Sequence, residues 1–436
     1  MFHQEDRKKP KIKIPVREKA VKLVVIGGGA AGFFGAICAA RTANAAPEAA
    51  GAEVALLEAG RQCLAKVLVS GGGRCNVTHA CFEPSLLVQH YPRGGKALRG
   101  AFSQFQAKHT IEWFTNRNVK LKTESDGRIF PITDDSRTIA DCLFNQAADL
   151  GVKIYTQAPV KSVTKTDEEF SIDLRSGEVL TADQVLIATG SSPQGYQFAK
   201  SLGHSIIDPV PSLFTFNVRD DRLTDLAGVA VDPVRLKLQV GESKFEQTGA
   251  LLITHWGLSA PAVLKLSAWA ARELHDHRYQ AQLTINWLPK QNPEQLRQEL
   301  IAVRNQIPQK TIAANCPVML PRRLWERLTE TVGIDRDRRW AELSNKTLNQ
   351  LIQELTQGNY QISGKGAFKE EFVTCGGVNL KEINFKTMES RCCPGLYFAG
   401  EILDIDGITG GFNFQSAWTT GWIAGNAIAH LSKLKL

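Results

Sequence analysis

Short apolar runs rich in branched residues recur along the chain, and a glycine or an acidic residue stands within two positions after each of the three named here. Three of them, Leu23–Ile26, Glu53–Leu57 and Gln184–Ala188, are four or five residues long. Runs of this length, almost free of charge, are typical of strands buried on both faces of a parallel sheet. The pattern therefore predicts a layered α/β domain.

Between these runs the apolar positions change to helical or alternating spacing. Residues 98–118 carry apolar side chains three or four apart, which predicts a core-facing helical stripe, and Arg137–Leu150 predicts another amphipathic helix. The stretch between them predicts two short strands turned through Asp126-Gly127. Residues 151–183 predict a strand and then a small antiparallel meander that starts near Val160.

The pattern changes again from about residue 206. Strand-like runs (LFTFNV, VRLKLQV, QAQLTINWL) are followed by a polar helical block from NPEQLRQELIAVRNQI to LNQLIQELTQ. This order predicts a module inserted into the α/β domain, with a β portion and a helical portion. The predicted domain division is a basic tail at 1–21, the first part of the α/β domain at 22–205, β-rich and helical inserts at 206–290 and 291–363, and the second part at 364–436.

The first apolar run leads directly into a glycine turn, IGGGAAG. Gly27, Gly29 and Gly32 fit the G-x-G-x-x-G spacing, in which the glycines allow a tight turn, approach of the backbone to a pyrophosphate and close helix packing. Glu58 ends the next predicted strand, where a carboxylate accepts hydrogen bonds from ribose hydroxyls. Because it would repel a 2′-phosphate, FAD or NAD is favoured over NADP. The alternative is a glycine-rich turn in an ordinary βαβ unit.

Two later glycine-rich stretches are suited to a flavin. The segment SGGGRCN runs from Ser70 to Asn76, and GLYFAGEILDIDGITGGFN runs from Gly395 to Asn413. A helix beginning after Gly410 and Gly411 would place its positive end at the N1–C2=O edge of a reduced flavin. Each stretch could instead be structural. The apolar strand that ends at Thr189-Gly190 adds a backbone able to approach a dinucleotide closely.

Three residues are catalytic candidates on type and position alone. Cys75 lies in the glycine-rich segment, although no second cysteine is placed to resolve it, so packing or cofactor contact is the preferred interpretation. His255 lies in a turn before an apolar helix and would face substrate or cap that helix. Asn413 follows the glycine turn near the C-terminus.

Composition and charge narrow the class of protein. The 436 residues are sufficient for two or three domains, and the nine cysteines contain no C-x-x-C pair, which favours reduced thiols and a cytoplasmic location. The net charge is +8, and residues 1–22 hold eight Lys or Arg against three acidic residues. We interpret this segment as a poorly ordered basic tail. The uncharged stretch after it holds five glycines and is not expected to span a membrane.

Taken together, several motifs closely resemble the BaiN-like flavoproteins, also called the aminoacetone oxidase family or NAD(P)/FAD-dependent oxidoreductases. The motifs are IGGGAAG, LVSGGGRCNVTH, SDGRIFPIT, GALLITHWGLSAPA, TCGGVNLKEI, TMES and GLYFAGEILDIDGITGGFNFQSAW. The resemblance covers the chain from residue 22 to its end. It implies a glutathione-reductase-type FAD-binding Rossmann domain, discontinuous in sequence, with an inserted β-barrel-like and helical module that closes over the isoalloxazine.

The resemblance also implies where FAD binds. Gly27, Gly29, Ala31 and Gly32 would hold the pyrophosphate, Glu58 the ribose, and the backbone of Val160 the adenine. The remaining expected cofactor contacts are Ala59, Lys66, Ser70, Gly72, Arg74, Cys75, Asn76, Thr189, Gly190, Gly400, Glu401, Asp404, Gly411 and Asn413.

The sequence thus predicts an FAD-dependent oxidoreductase that transfers hydride through flavin N5 to or from an unidentified small organic substrate. NADH or NADPH is the expected reductant and would bind in the cleft under the insert, since there is only one Rossmann fingerprint. The rival is an FAD-containing RNA-modifying or RNA-binding protein that uses the Lys-rich tail; nucleic acid is otherwise not an expected partner. A flavoprotein sensor without turnover is a third interpretation. Oligomeric state is not predicted.

Overall fold

The computed structural model describes residues 21–44, 52–167, 169–366 and 373–434. The predicted basic tail and most of the loop before Glu53 lie outside these residues. The elements of the first part of the nucleotide-binding domain are β1 (Val21–Ile26), α1 (Ala30–Asn44), β2 (Ala52–Leu57), α2 (Ala65–Gly73), β3 (Thr78–His79), α3 (Pro84–Leu87), α4 (Gly95–Gln104), α5 (Ala107–Thr115), β4 (Leu121–Thr123), β5 (Arg128–Pro131), α6 (Arg137–Asp149), β6 (Lys153–Tyr155), β7 (Val160–Lys165), β8 (Phe170–Leu174), β9 (Val179–Ala182), β10 (Gln184–Ile187) and α7 (Pro193–Ser201).

The middle of the chain forms a second set of elements and then returns to the first domain. The elements are β11 (Ile206–Ser212), β12 (Phe216–Val218), β13 (Ala230–Val240), β14 (Ser243–Thr254), β15 (Gly257–Ser259), α8 (Pro261–Trp269), α9 (Ala271–Asp276), β16 (Ala281–Asn286), α10 (Pro293–Gln306), α11 (Arg322–Thr331), α12 (Asn345–Gln357), β17 (Gly358–Lys365), β18 (Val373–Val378), β19 (Ile383–Asn384), β20 (Glu389–Ser390), β21 (Leu396–Phe398) and α13 (Phe412–Leu434).

The nucleotide-binding domain is built on a seven-stranded sheet in the order β19-β20-β21-β10-β1-β2-β6. The five strands from β21 to β6 are parallel, and β1 pairs with both β2 and β10 along its length. Its residues Leu23–Ile26 are buried, as the uninterrupted apolar run predicts. The central strand β1 thus carries the glycine turn at the carboxyl edge of the sheet, where ligands of open α/β sheets bind.

The last helix of the chain, α13, packs directly on the first, α1. A Cβ atom at Gly425 would lie 2.3 Å from the carbonyl oxygen of Gly35, and one at Gly421 would lie 2.6 Å from that of Ala31. Only glycine allows two helix backbones to approach this closely. The two ends of the sequence therefore share one core, which confirms that the domain is discontinuous.

The insert contains a closed six-stranded barrel in the order β12-β15-β14-β13-β16-β17. Its core is separate from that of the sheet domain and includes Trp287, Trp325 and Trp340. Helices α10–α12 lie between the fifth and sixth barrel strands in sequence. The barrel is completed by β17, which crosses the boundary predicted at 363/364; the domain boundaries themselves stay predictions.

A two-stranded antiparallel sheet, β11 with β18, joins the two halves of the molecule at the point where the chain enters and leaves the insert. The α/β class, the Rossmann-type domain and the inserted barrel with helices are confirmed. Within the described residues, no helix combines the length and apolar character needed to cross a bilayer.

Candidate FAD site

The glycine turn after β1 has the geometry that its spacing predicts. Gly27 has φ +114°, and a Cβ there would lie 2.4 Å from the carbonyl oxygen of Ala188, so the turn excludes any side chain. At Gly32 a Cβ would lie 1.9 Å from the Gly27 carbonyl oxygen, which fixes the start of α1 against the turn. Gly29 has open space where its Cβ would be. This cradle fits a pyrophosphate at the N-terminus of α1.

The Glu58 carboxylate is held against the same turn. Its Oε2 accepts a hydrogen bond from the Gly28 amide at 2.8 Å, and its Oε1 accepts one from the Gly60 amide at 2.7 Å. Each oxygen keeps a further lone pair for a ribose hydroxyl. The Ala158 amide donates to the Glu58 carbonyl, which brings Val160 and the start of the meander close to Glu58. The contact of Val160 with adenine stays a prediction.

Residues from the C-terminal part complete the same cradle. A Cβ at Gly400 would lie 2.8 Å from the Cβ of Ala31, and the open position beside Gly190 faces Glu401. Glu401 forms an ion pair with Lys66 at 2.6 Å. Four segments that are far apart in the sequence therefore meet at this cradle: the glycine turn with Ala31, Lys66, Gly190, and Gly400 with Glu401.

Two buried polar groups beside this cradle have no partner among the described residues. They are the hydroxyls of Thr189 and Tyr196. Because a buried hydroxyl without a hydrogen bond is unfavourable, both fit a polar ligand at the end of β10. The residues present therefore fit FAD, with the pyrophosphate on the glycine turn.

The second glycine segment is a kinked helix rather than a plain loop. Helix α2 has non-helical backbone at Ser70, Gly71 and Gly72, and both glycines have positive φ. Gly72 and Gly73 have open space at their Cβ positions, so the backbone there is free for a ligand. The flavin contact expected of this stretch stays a prediction.

The end of this glycine segment meets the N-terminus of α13. In the amide orientation that satisfies its neighbours, the Asn76 oxygen accepts from the Gly411 amide at 3.0 Å. Trp418 donates through Nε1 to the Val77 carbonyl at 2.9 Å, and Thr78 pairs with Gln415 at 2.6 Å. Residues 70–79 and 407–413 consequently form one surface.

Comparison with protein families identifies this architecture. The profile described as the HI0933-like protein Rossmann domain matches residues 21–427. The chain belongs to this family. HI0933-like proteins are FAD-binding, and the FAD-dependent oxidoreductase class predicted from the sequence, together with the resemblance to the BaiN-like flavoproteins, is confirmed.

Several curated relatives are similar over nearly their whole length. A 3-dehydro-bile acid delta(4,6)-reductase of Clostridium scindens is 30% identical over 94% of this chain and 99% of its own. Ribosomal RNA dihydrouridine synthases of Escherichia coli and Haemophilus influenzae are 33% and 30% identical, over 92% and 93% of this chain and 96% and 98% of their own.

In this HI0933-like chain, two of the residues expected to contact FAD have side chains that are already bonded to other protein groups. The Arg74 guanidinium pairs with Glu124 at 2.6 Å and lies over the Phe130 ring, and the hydrogen bond to Glu124 raises the pKa of Arg74. Asp404 accepts from Arg272 at 2.9 Å. Contacts of Arg74 and Asp404 with FAD stay predictions, since both side chains are engaged within the protein.

The three catalytic candidates are not brought together. Cys75 is fully buried, and burial raises the pKa of its thiol to about 12, which disfavours the reactive thiolate. Both amide atoms of Asn413 are hydrogen-bonded to the backbone of Gly407, so Asn413 supports the turn before α13. His255 is exposed in the turn between β14 and β15, several residues before α8, and does not cap that helix.

A pair of histidines that sequence reasoning missed lies at the N-terminus of α13. The rings of His79 and His90 have centroids 4.7 and 4.2 Å from that of Phe412, and His90 is stacked on it. We call these three rings the histidine stack. His79 is the last residue of the longer motif LVSGGGRCNVTH, and that position was the available signal.

Burial favours the neutral form of both imidazoles of the histidine stack. Burial lowers the pKa of His79, and burial together with the nearby His79 and Lys265 lowers the pKa of His90 to about 4. His79 Nδ1 lies 3.1 Å from the carbonyl oxygen of Gly410, so that nitrogen must carry the proton. The stack offers polar but uncharged groups beside the predicted flavin edge.

Proposed function

We propose that this protein is an FAD-dependent reductase of a carbon–carbon double bond conjugated to a carbonyl group, with NADH or NADPH as the reductant. The names of the three relatives describe reactions of this type. A 3-dehydro-bile acid delta(4,6)-reductase and a dihydrouridine synthase both saturate a C=C bond in conjugation with a C=O group.

The observation that carries the proposal is the meeting of residues 70–79 with the start of α13. When bound, FAD would supply a hydride at N5. The Asn76–Gly411 hydrogen bond and the engaged Asn413 fix the turn that ends at α13. Because helix N-termini stabilise negative charge, this rigid turn would favour the two-electron reduced flavin.

We place the substrate cleft between this turn and the insert. Helix α8 of the insert presents Leu264 and Trp269 to the core of the nucleotide-binding domain. Arg93, three residues after His90, donates to the carbonyl oxygen of Ala268 at 2.6 Å. This hydrogen bond holds α8 of the insert close to the histidine stack. We place both the nicotinamide and the substrate in this cleft, because the sequence has one Rossmann fingerprint only.

The test begins with the absorbance spectrum of the purified protein and an anaerobic titration with each nicotinamide. Bleaching of the flavin band by NADH or NADPH supports the reductant, and failure of both contradicts it. The reduced protein is then mixed with a 4-ene-3-one steroid and, separately, with uridine-containing RNA. Reoxidation together with loss of the substrate's conjugated absorbance is expected for one of them; no reaction with either contradicts the proposed reaction class.

A uridine in RNA is the second candidate substrate, since two relatives are named for ribosomal RNA and residues 1–20 hold seven Lys or Arg against three acidic residues. Deletion of residues 1–20 is expected to weaken RNA binding and to flatten its salt dependence, because fewer counterions are released. FAD content serves as the control and should not change. Salt-independent or absent RNA binding by the full chain would remove this candidate.

A further inference from the structure

A histidine, a glutamate and a cysteine from three separate segments meet at the edge of the seven-stranded sheet. His204 lies between α7 and β11, Glu382 directly precedes β19, and Cys392 follows β20. The thiol sulfur, a carboxylate oxygen and a ring nitrogen of these residues lie within 4.8 Å of one another. We call the three side chains the edge cluster. Four strand spacings separate β19 from β1, about 19 Å along the sheet, so the edge cluster is distinct from the candidate FAD site.

Two polar neighbours hold the ring of His204 in place. Its Nδ1 lies 3.0 Å from Oε2 of Glu382, and its Nε2 lies 2.8 Å from the hydroxyl oxygen of Ser390. The side chain of His204 is completely buried. The ring is therefore fixed in one orientation, with Nδ1 facing the carboxylate.

The Glu382 carboxylate is oriented but its charge is not neutralised. The amide of Ser205 donates to Oε2 at 3.0 Å, and the hydroxyl of Ser205 donates to Oε1. Within the described residues, no lysine or arginine forms an ion pair with Glu382, and its side chain is 22% exposed. The site thus presents a positioned, partly accessible carboxylate beside a buried imidazole.

Cys392 completes the edge cluster from the solvent side. It is exposed and forms no disulfide. Its backbone amide donates at 3.0 Å to the Ser390 hydroxyl, the same group that contacts the His204 ring. A Cβ at Gly203 would lie 3.9 Å from the Cβ of Cys392, so the segments that carry Cys392 and His204 are adjacent.

The donor types and their spacing fit a zinc ion. With bonds of about 2.0–2.2 Å to nitrogen and oxygen and about 2.3 Å to sulfur, tetrahedral coordination places ligand atoms roughly 3.3–3.6 Å apart. Nδ1 of His204 and Oε2 of Glu382 are already near this separation, and the exposed thiol has to approach by only roughly 1 Å. We propose that His204, Glu382 and Cys392 bind Zn²⁺, with water as the fourth ligand. One thiolate and one carboxylate balance the charge of the ion.

Zinc at the edge cluster would connect two parts of the fold. His204 precedes β11, through which the chain enters the insert, whereas Glu382 and Cys392 flank the β19–β20 hairpin at the sheet edge. An ion that binds only the folded chain stabilises it, so loading with Zn²⁺ should raise the urea midpoint of unfolding. This proposal is independent of the proposed reductase function.

Metal analysis of the tag-free protein, loaded with Zn²⁺ and then dialysed, tests the site directly. We expect about one bound zinc ion per chain in the wild type and its loss in Cys392→Ala. Because Cys392 is exposed, this variant should fold, which an unchanged FAD content and circular dichroism spectrum will verify. Cys142→Ala is the matched control, a cysteine on α6 outside the edge cluster, and should retain wild-type zinc.

Loading with Co²⁺ in place of Zn²⁺ identifies the ligands. Tetrahedral cobalt should give d–d bands at wavelengths longer than the flavin absorbs, and these should disappear in Cys392→Ala and Glu382→Gln. Ser205→Ala removes a hydrogen bond to Glu382 and should weaken zinc binding by about 10-fold or more, the typical effect of losing an outer-shell partner. A wild type that retains no zinc and gains no urea resistance from it, or a Cys392→Ala protein that retains as much zinc as the wild type, overturns the site.

Discussion

At the scale of single residues, Glu58 is expected to decide FAD affinity. Glu58→Ala removes a carboxylate that holds the Gly28 amide at 2.8 Å and faces the adenosine end of the cradle. Hydrogen bonds to a charged group contribute about 1.5–3 kcal/mol, so the dissociation constant for FAD should rise by roughly ten- to a hundredfold. Titration of the apoprotein with FAD measures it.

Glu53→Ala is the matched control for this change. Glu53 lies on β2, the strand that Glu58 directly follows, but its exposed carboxylate pairs with Lys153 at 2.6 Å. Its replacement should leave the FAD dissociation constant unchanged. Equal affinities of Glu58→Ala and the wild type would contradict the proposed ribose contact.

His90 makes the stability of the protein depend on pH. Its folded pKa of about 4 lies below the ordinary value near 6.5, so the unfolded chain takes up the proton first as the pH falls. The contribution of the neutral ring to the free energy of unfolding is complete above about pH 6.5 and is lost as the pH falls through 4. His90→Gln should therefore lose less stability than the wild type between pH 7 and 4.5.

Urea unfolding at both pH values, at one FAD concentration, measures this difference, because bound ligand adds equally to both proteins. Identical pH dependence of wild type and His90→Gln would show that the ring is not buried in its neutral form.

Individual site residues were predictable only where local spacing dictates their role. Gly27, Gly32 and Glu58 follow from the order strand, turn, helix and strand, since each acts within one βαβ unit. The contact of His90 with Phe412 could not be predicted, because the two residues are more than three hundred positions apart in the sequence. For the same reason the engagement of Arg74 with Glu124 was not evident from the SGGGRCN motif.

At the scale of elements, the contact between α1 and α13 depends on glycine. Gly425→Ala would place a Cβ 2.3 Å from the Gly35 carbonyl oxygen, which one of the helices must move to accommodate. Overpacking of this kind typically destabilises by about 1–3 kcal/mol. The urea midpoint should fall, and FAD should be bound less tightly because α13 carries the flavin-edge turn.

Gly100→Ala is the control for helix propensity. Gly100 lies in α4 with open space at its Cβ position, so alanine there should stabilise the protein by about 0.5–1 kcal/mol. A Gly425→Ala protein as stable as the wild type would mean that the helices are less tightly packed than the structure indicates.

The elements themselves were mostly predictable from periodicity. The predicted hairpin through Asp126-Gly127 is β4 with β5, and Arg137–Leu150 corresponds to α6, one residue shorter. The kink in α2 was not predicted, because three consecutive glycines are typical of a loop. In the structure, Ser70 and the glycines after it instead interrupt a helix. Closure of the barrel by β17 could not be predicted, because helices α10–α12 separate β17 from its partner β16 in the sequence. Pairing between strands so far apart leaves no local sequence signal.

At the scale of the whole molecule, a buried ion pair within the nucleotide-binding domain, Arg93 with Asp406, also contacts the insert through Arg93. Arg93 is bonded to Asp406 through Nε at 2.6 Å and reaches Ala268 in the insert, while Ser212 donates to Asp406 at 2.8 Å. Asp406 is fully buried. Burial raises the pKa of its carboxyl group, and the guanidinium of Arg93 opposes that shift.

Arg93→Met would leave this carboxylate buried without its counter-ion, and loss of one partner of a buried pair typically destabilises by about 3–5 kcal/mol. The double variant Arg93→Met/Asp406→Leu removes the orphaned charge as well, so it should recover much of the loss in urea unfolding. It should still release the insert, because the bond to the Ala268 carbonyl is gone in both variants. Faster proteolysis between the two cores would report that release, whereas wild-type resistance in both would mean that the remaining contacts, including β11 with β18 and the Arg272–Asp404 ion pair, suffice to hold the insert in place.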